Sequence, residues 1–247
     1  MLNHRRQGRV AILTIDRANR RNALGTELMR AFGDAFTELD HDDSVAAIVV
    51  SAVAPGFCAG SDLKELATMN IAQMCEHEAE TARVVRAIGF LEKPAVAAVS
   101  GFALGGGVGL AAGCDLVVTH PECRWHMPEV PNGWLPPWAL AALSARVGPV
   151  TARRLVWASE PVSGSEAFAL KLADYLVPQA NVETEAIALA ERLAALPRAA
   201  VASTKRFFAP LINGSAEASD MLANRIFAEN CQDETSKATL RKFGMKV

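Results

Sequence analysis

The stretch from Lys93 to Asp115 decides the fold, and its sequence is K-P-A-V-A-A-V-S-G-F-A-L-G-G-G-V-G-L-A-A-G-C-D. The apolar segment from Pro94 to Val99 predicts a short buried strand, and the glycines from Gly105 onward predict a turn that opens into a short helix. The first turn of a helix exposes unpaired N–H groups and carries a partial positive charge. Glycine lets a ligand approach that backbone closely. The stretch therefore predicts an anion-binding turn, for an anion that is either bound or formed during a reaction.

Two structural interpretations of the same stretch are also open. Its length approaches that of a membrane-spanning helix, but six glycines together with Ser100 and Pro94 disfavour one. Glycine also serves in tight packing where no ligand binds.

A dinucleotide-binding turn is a third interpretation. Residues 107–112 fit the relaxed pattern G-x-G-x-x-A after a strand, and Glu122 is a candidate for the acid that binds ribose. However, the helix is predicted to end by Gly113 and the next strand to begin at Leu116. That leaves too little chain for the usual crossover helix.

The composition bounds the class of protein. The chain has 247 residues, of which 51% are hydrophobic and 21% charged, and its formal net charge is −2. These proportions favour one large domain, or a core with a small appendage, over disorder. The near-neutral charge predicts no nucleic-acid partner and no attraction to anionic membranes.

Cysteine and histidine usage indicates the compartment. Five cysteines form no C-x-x-C pair, and five histidines are scattered without the spacing of metal ligands. An odd number of free thiols is typical of a reducing compartment, and the polar start of the chain predicts no signal peptide. We therefore expect a cytoplasmic protein without a metal site.

Strands and helices are predicted to alternate in the first half of the chain. Apolar runs predict strands at Arg9–Asp16, Val45–Ala52 and Leu116–Thr119, while helical periodicity predicts helices at about Thr26–Leu39 and Ala72–Leu91. The almost continuous apolar runs are typical of strands covered on both faces. The pattern predicts an α/β fold with parallel strand pairing.

The second half of the chain is predicted to be helical. Ser163 and Glu166 have the spacing of a capping box, and an apolar stripe ends where Pro197 stops a helix. Residues from about Ser215 to Phe243 predict two more helices. We divide the chain into a core of residues 1–195 and a helical region of residues 196–247.

Two glycine loops and one carboxylate carry the predicted chemistry. The loop of residues 59–62 follows one strand, and the loop of residues 104–107 follows another. Loops at the carboxyl ends of parallel strands bind ligands, and one backbone N–H from each loop could hold a single oxyanion. Glu129 lies among prolines and tryptophans, and burial there would raise its pKa toward the range useful for proton transfer. Loop bracing or helix capping is an equally open role for this glutamate.

Several motifs occur together in this order and spacing. They are R-x-x-x-x-N-A-L at residues 17–24, F-C-A-G-S-D-L at 57–63, K-P-x-x-A-x-V-x-G-x-A-L-G-G-G at 93–107, C-D at 114–115, M-P-E at 127–129 and G-x-x-P at 133–136. The combination resembles the crotonase superfamily, also called the enoyl-CoA hydratase/isomerase family. The likeness extends over nearly the whole chain and is weakest after about residue 213.

The resemblance implies a spiral of ββα units with a C-terminal helical trimerisation region. It also implies a homotrimer or a dimer of trimers that acts on an acyl-CoA thioester, with coenzyme A as part of the substrate and no separate cofactor. The implied oxyanion donors are the N–H groups of Ser61 and Gly106, which would hold a thioester enolate. The implied residues for binding CoA and substrate are Arg21, Ala23, Leu24, Ala59, Asp62, Leu63, Lys64 and Gly105. Loop bracing is equally open for Asp62 and Arg21.

Departures from the family pattern favour one reaction. Family hydratases carry a second glutamate at the position of Gly109, and here only Glu129 remains. One carboxylate can lift a proton and return it elsewhere, which moves a double bond. The aspartate of dienoyl-CoA isomerases would fall near Pro137 and is absent. The expected activity is therefore enoyl-CoA isomerisation, with hydration, thioester hydrolysis or decarboxylation as alternatives, and a non-catalytic acyl-CoA-binding protein as a further one.

Three aromatic or basic side chains near Glu129 are further candidates. Histidine is a residue type suited to acid–base work, which makes His126 a candidate proton carrier, although a structural hydrogen bond is the commoner role of a loop histidine. Trp134 and Trp138 are expected either to pack in the core or to line the acyl pocket, where bulky rings would restrict acyl length.

Overall fold

Two sheets contain the strands of the chain, whose computed structural model describes residues 1–245. The last two residues of the predicted helical region, 246 and 247, lie outside the described part. The strands are β1 Leu2–Gln7, β2 Val10–Ile15, β3 Ala47–Ala52, β4 Ala95–Ala98, β5 Phe102–Leu104, β6 Leu116–Thr119, β7 Arg124–His126, β8 Val162–Ser163 and β9 Tyr175–Leu176.

Helices follow most of these strands and fill the C-terminal part of the chain. They are α1 Thr26–His41, α2 Leu63–Leu66, α3 Ile71–Ile88, α4 Gly106–Gly113, α5 Ala139–Val147, α6 Pro149–Ala158, α7 Gly164–Ala169, α8 Val182–Ala194, α9 Arg198–Asn213, α10 Ala216–Asn230 and α11 Glu234–Lys242. The predicted capping box is confirmed at the start of α7, and the two predicted final helices are α10 and α11. The predicted boundary after residue 195 falls between α8 and α9.

The larger sheet has the order β1-β2-β3-β4-β6-β9. All of its pairs are parallel except β1 with β2. The strands predicted from apolar runs are confirmed as β2, β3, β4 and β6. The prediction missed β1, because its polar sequence L-N-H-R-R-Q is that of an exposed edge strand.

Both faces of the larger sheet are buried, as the apolar runs predict. Alternate residues such as Val50 and Ala97 pack with α1, α3 and α4, while Val49 and Val96 on the other face pack under α8. Helix α8 thereby covers the second face of the parallel strands.

The smaller sheet gives the chain its spiral path. It has the order β5-β7-β8, and Cys58 adds a single parallel bridge to Ala103 of β5. Each of β3, β4 and β6 is followed by a short extended segment of this second layer and then by one or more helices. The predicted spiral of ββα units is therefore confirmed. Its short second strands were missed because three residues carry no readable periodicity.

Helix α4 has the short length that the sequence predicts. It ends at Gly113, and β6 begins at Leu116. The alternative ribose acid, Glu122, lies on an exposed turn, where its carboxylate is 3.2 Å from Nδ1 of His120. The dinucleotide interpretation therefore has no support at this turn.

The last helices pack back onto the core. Arg86 of α3 pairs with Asp220 of α10 at 2.5 Å, and the side chain of Asn224 donates a hydrogen bond to the Cys75 carbonyl at 2.7 Å. Phe227 of α10 and Leu240 of α11 join a small apolar cluster with Trp134. This cluster forms a roof over the loops that follow β3 and β5. Within residues 1–245, no helix combines the length and apolar composition needed to cross a membrane.

Candidate active site

A cavity of about 70 Å³ lies where the loops after β3 and β5 meet, and we call it the active cavity. Its walls include Ser61, Gly106, Glu129 and Trp138, and Phe227 belongs to its roof. The structure thus brings together the two predicted oxyanion donors and the predicted acid.

The backbone N–H groups of Ser61 and Gly106 are free to bind a ligand. Neighbouring amides are occupied: Ala59 donates to the Arg21 carbonyl at 3.2 Å, and Gly105 donates to the His126 carbonyl at 2.8 Å. Among residues 1–245, neither Ser61 N–H nor Gly106 N–H has a backbone or side-chain acceptor. For Gly106 this follows from its place at the start of α4, where helical amides have no internal partner.

Glycine at position 60 allows the two loops to touch. Gly60 has a φ of +86°, and a Cβ atom there would lie 2.9 Å from the Leu104 oxygen and 3.0 Å from the Gly106 nitrogen. Any side chain would therefore be strained and would push the loops apart. The convergence of the two free amides depends on this contact.

A buried carboxylate holds the first loop in place. Asp62 accepts hydrogen bonds from Arg17 at 3.1 Å and Arg20 at 3.2 Å, and its side chain caps α2. Leu24 pairs with the loop through Gly60 and Asp62, with backbone bonds of 2.8 and 2.9 Å. The loop is therefore anchored on both sides of Ser61.

These contacts bear on part of the predicted CoA-binding set. Asp62 and Leu24 are buried and both hold the loop, which favours the bracing role that the sequence left open for Asp62. Their contact with CoA stays a prediction. Ala23 is also buried, and its carbonyl accepts a hydrogen bond from Arg17. Ala59, Leu63 and Gly105 line the active cavity, while Arg21 and Lys64 are exposed. The Arg21 guanidinium lies 4.7 Å from the centre of the Phe102 ring.

Glu129 presents an enclosed carboxylate to the active cavity. A Cβ atom on Gly105 would lie only 2.6 Å from its Oε1, which explains the glycine at that position. The residue as a whole is half-buried, but Oε2 is fully enclosed and has no hydrogen-bond donor among residues 1–245. Burial raises the pKa of Glu129 to about 8, and the charge of Glu78 adds to the effect. A carboxyl group with this pKa is suited to exchanging protons near neutral pH.

His126 has a structural role. Its Nε2 lies 2.7 Å from the Ser159 carbonyl oxygen and 2.9 Å from the Ser159 hydroxyl, and it is absent from the walls of the active cavity. These contacts favour the structural role expected of a loop histidine over proton transfer by His126. Its side chain ties β7 to the end of α6.

Trp138 separates the active cavity from a larger one. Its ring lies against α4, so that a Cβ atom on Gly106 or Gly109 would come within 2.9 or 2.5 Å of it. On its other side is an apolar cavity of about 600 Å³ between α3, α5 and α9. None of Ser61, Gly106 or Glu129 lines that larger cavity, so the smaller one is the candidate site.

Glu78 is a cavity residue that the sequence prediction missed. It lies on α3, is 2% exposed, and lines the active cavity. Its Oε2 accepts a hydrogen bond of 2.7 Å from Nε1 of Trp138. The sequence does contain one indication that Glu78 is buried. Glu78 is spaced at helical intervals from Met74, Ala82 and Val85, so it lies on the apolar face of a helix whose other faces are polar.

Comparisons with known proteins agree with one another. The family model described as enoyl-CoA hydratase/isomerase matches residues 5–246. A short-chain-enoyl-CoA hydratase of Clostridium acetobutylicum is 30% identical over 203 residues, which cover 81% of this chain and 78% of that protein. A probable enoyl-CoA hydratase of Mycobacterium bovis is 31% identical over 245 residues, covering 96% and 93%. The crystal structure of an enoyl-CoA hydratase/isomerase from Mycobacterium paratuberculosis superimposes with a TM-score of 0.90 at 23% identity, covering 98% of this chain and 97% of that one, which shows the same fold.

The raised pKa of Glu129 predicts a pH-dependent stability. Because the folded pKa of about 8 exceeds the ordinary value of 4.5, the folded state binds more protons than the unfolded state between these values. The free energy of unfolding therefore falls as pH rises through that window. We expect E129Q, which cannot ionise, to be more stable than the wild type by roughly 2–4 kcal/mol at pH 8.5 and nearly equal at pH 5. Urea unfolding at both pH values measures this.

E76Q on the exposed face of α3 is the matched control and should follow the wild type at both pH values. A loss of stability in E129Q at pH 8.5 would contradict the burial of an ionisable carboxyl group.

The anchoring of the first loop by Asp62 predicts a large loss of stability on truncation. D62A leaves Arg17 and Arg20 without their partner, and we expect the free energy of unfolding to fall by about 3–5 kcal/mol. E80A, which breaks a surface pair with Arg83, should change it by less than about 1 kcal/mol. Urea unfolding of both variants tests the difference, and equal effects would refute the anchoring role.

Proposed function

The chain belongs to the enoyl-CoA hydratase/isomerase family, and we propose that it moves the double bond of a short-chain enoyl-CoA. The reaction proceeds by proton transfer at the carbon next to the thioester carbonyl. The observation that carries the proposal is that two N–H groups with no acceptor among residues 1–245 meet one enclosed carboxyl group around a single small cavity.

The two amides are suited to an enolate. When a proton leaves the carbon next to the carbonyl, negative charge develops on the carbonyl oxygen. The N–H groups of Ser61 and Gly106 are fixed in advance by the packing of Gly60, so they would stabilise this charge without rearranging. In enzymes, the loss of one such donor typically costs about 3–4 kcal/mol of transition-state stabilisation.

Glu129 is the proposed acid and base. Its carboxyl group lies beside Gly105, next to one of the two donors, and its enclosed oxygen has no competing partner among the described residues. As a carboxylate it removes a proton from the carbon next to the thioester. Once protonated, it is the acid that can give a proton back.

The packing of Trp138 favours isomerisation over hydration. The hydratases of the family carry a second glutamate at the position of Gly109, and here the indole ring fills the space beside that glycine. A water molecule and a side chain that activates it would need this space. Hydration is nevertheless the second candidate, because the related proteins named above include hydratases.

The same ring limits the acyl group. The active cavity of about 70 Å³ is much smaller than the apolar cavity of about 600 Å³, and Trp138 lies between the two. We therefore propose a short acyl chain for the natural substrate.

We also propose an oligomeric state from the exposed apolar surface, and a cellular compartment from the free cysteines. Helices α9 and α10 expose large apolar side chains, including Phe207, Leu211 and Met221, and such patches favour association. They support the homotrimer or dimer of trimers expected from the family, which light scattering would measure. Free cysteines, four of them buried, are consistent with the reducing conditions of the cytoplasm.

The role of Glu129 predicts the loss of two activities together. E129Q should isomerise but-3-enoyl-CoA at least a thousandfold more slowly and should not exchange the protons next to the thioester of butyryl-CoA in heavy water. Full exchange in E129Q would refute the assignment, and rapid loss of the enoyl absorbance of crotonyl-CoA would favour hydration.

The position of Trp138 predicts a change in chain-length preference. W138A joins the active cavity to the larger one, and we expect kcat/KM for an eight-carbon 3-enoyl-CoA relative to but-3-enoyl-CoA to rise at least tenfold, since a few buried methylene groups contribute several kcal/mol. W157A removes an exposed tryptophan and should leave the ratio unchanged. An unchanged ratio in W138A would show that the ring does not limit the acyl pocket.

A further inference from the structure

Glu78 is a second buried carboxylate of the active cavity, and proton transfer by Glu129 alone leaves it unused. Its helix, α3, is held at its start by a capping box between Asn70 and Gln73. Met74 and Ala82, which lie one helical turn before and after Glu78, are also buried. A buried carboxylate is costly unless it is paired, metal-bound or functional, and Glu78 has no cationic side chain within salt-bridge distance in residues 1–245.

The two oxygens of Glu78 differ in their surroundings. Oε2 accepts the hydrogen bond from Nε1 of Trp138 at 2.7 Å. Oε1 has no hydrogen-bond donor in the described part of the chain, yet it is not among the enclosed unpartnered atoms, whereas Oε2 of Glu129 is. Because Glu78 lines the active cavity, Oε1 is the oxygen that borders it. The tryptophan thus fixes the carboxyl group and leaves one oxygen available.

The size of the active cavity brings both carboxyl groups to the reacting carbons. By the same measure of volume one water molecule needs about 10–15 Å³, so the 70 Å³ of the cavity holds a chain of several heavy atoms and no more. A chain whose thioester oxygen is held by Ser61 and Gly106, with its next carbon at Glu129, has little other space for the following carbons. Those carbons would therefore lie beside Glu78 and Trp138.

We propose that Glu78 is a second proton-transferring residue, which serves the far carbon of the migrating double bond while Glu129 serves the carbon next to the thioester. This inference rests on the proposed function. In the conversion of a 3-enoyl-CoA, the Glu129 carboxylate takes a proton from C2, and the electron pair of that C–H bond forms the enolate held by the two amides. When the carbonyl reforms, a double bond forms between C2 and C3, and the C3–C4 π electrons take a proton from the Glu78 carboxyl group at C4.

The two carboxyl groups share one proton through this cycle. The proton of Glu78 ends at C4 and the proton of C2 ends on Glu129, so the pair again carries one proton after the conversion. Transfer of that proton from Glu129 to Glu78, directly or through water, resets the site with no net gain or loss. The negative charge of Glu78 adds to the effect of burial in raising the pKa of Glu129, so the two carboxyl groups interact across the cavity.

The test follows deuterium within one substrate molecule. But-3-enoyl-CoA carrying two deuterium atoms at C2 is converted by excess wild-type enzyme in ordinary water, and the product is analysed by mass spectrometry. With two proton-transferring residues, less than about a tenth of the product should carry deuterium at C4. If Glu129 alone acts, it returns the deuterium to C4 of the same molecule. A wild-type product with substantial deuterium at C4 would overturn the proposal even if no variant folds.

Two variants separate proton transfer from positioning. E78Q keeps an oxygen that can accept the Trp138 hydrogen bond, and we expect it to be at least tenfold slower, with the residual product now carrying deuterium at C4. W138F keeps the carboxyl group, loses the donor, and should keep the wild-type label pattern. A rate for E78Q within threefold of the wild type would overturn the proposal.

Exchange at C2 of butyryl-CoA distinguishes this proposal from the one on which it rests, because exchange needs Glu129 but no proton at C4. Wild-type exchange together with deuterium at C4 overturns the role of Glu78 and leaves that of Glu129. The absence of exchange from the wild type overturns the proposed function itself.

Discussion

The close contact of Gly60 with the backbone of Leu104 and Gly106 is the constraint on which the site depends. It brings together two loops from successive turns of the ββα spiral, and each loop carries one amide that has no acceptor in the described part of the chain. No side chain is needed to make this pair of donors, because the fold itself presents them. The anchoring of the first loop by Asp62 and the parallel pairing of β3 with β4 serve to hold this contact.

The same dense packing gives the carboxyl groups their properties. Glu129 is enclosed against Gly105, and the loss of hydration that this entails raises its pKa to about 8. Glu78 enters from α3, and the indole N–H of Trp138 satisfies one of its oxygens. A few small residues thus allow charged groups to be enclosed next to backbone donors, where electrostatic effects are stronger than in water.

The sequence predicts those parts of the fold whose burial or backbone geometry constrains several consecutive residues. Continuous apolar runs predicted β2, β3, β4 and β6, and the glycine triplet predicted α4, because burial on both faces and backbone freedom leave a mark on composition. The three-residue strands β5 and β7 leave none. At the site, motif positions located Ser61, Gly106 and Glu129, but they could not show that His126 faces Ser159 or that Leu24 and Asp62 are buried. Glu78 was missed because tertiary packing, and not local sequence, brings α3 to the cavity.

The contact between Trp138 and Gly109 couples two positions that are far apart in the chain. A Cβ atom at residue 109 would lie 2.5 Å from the indole ring and 2.8 Å from the Cβ atom of Ala139, so a side chain there requires its neighbours to move. A smaller residue at 138 would in turn leave a void unless residue 109 gained a side chain. A change between this site and one with an acid on α4 therefore requires coordinated substitutions at residue 109 and at the residues that contact it, because a change at only one position would leave the packing too crowded or with a void. Such epistasis would tend to keep lineages with the two arrangements apart.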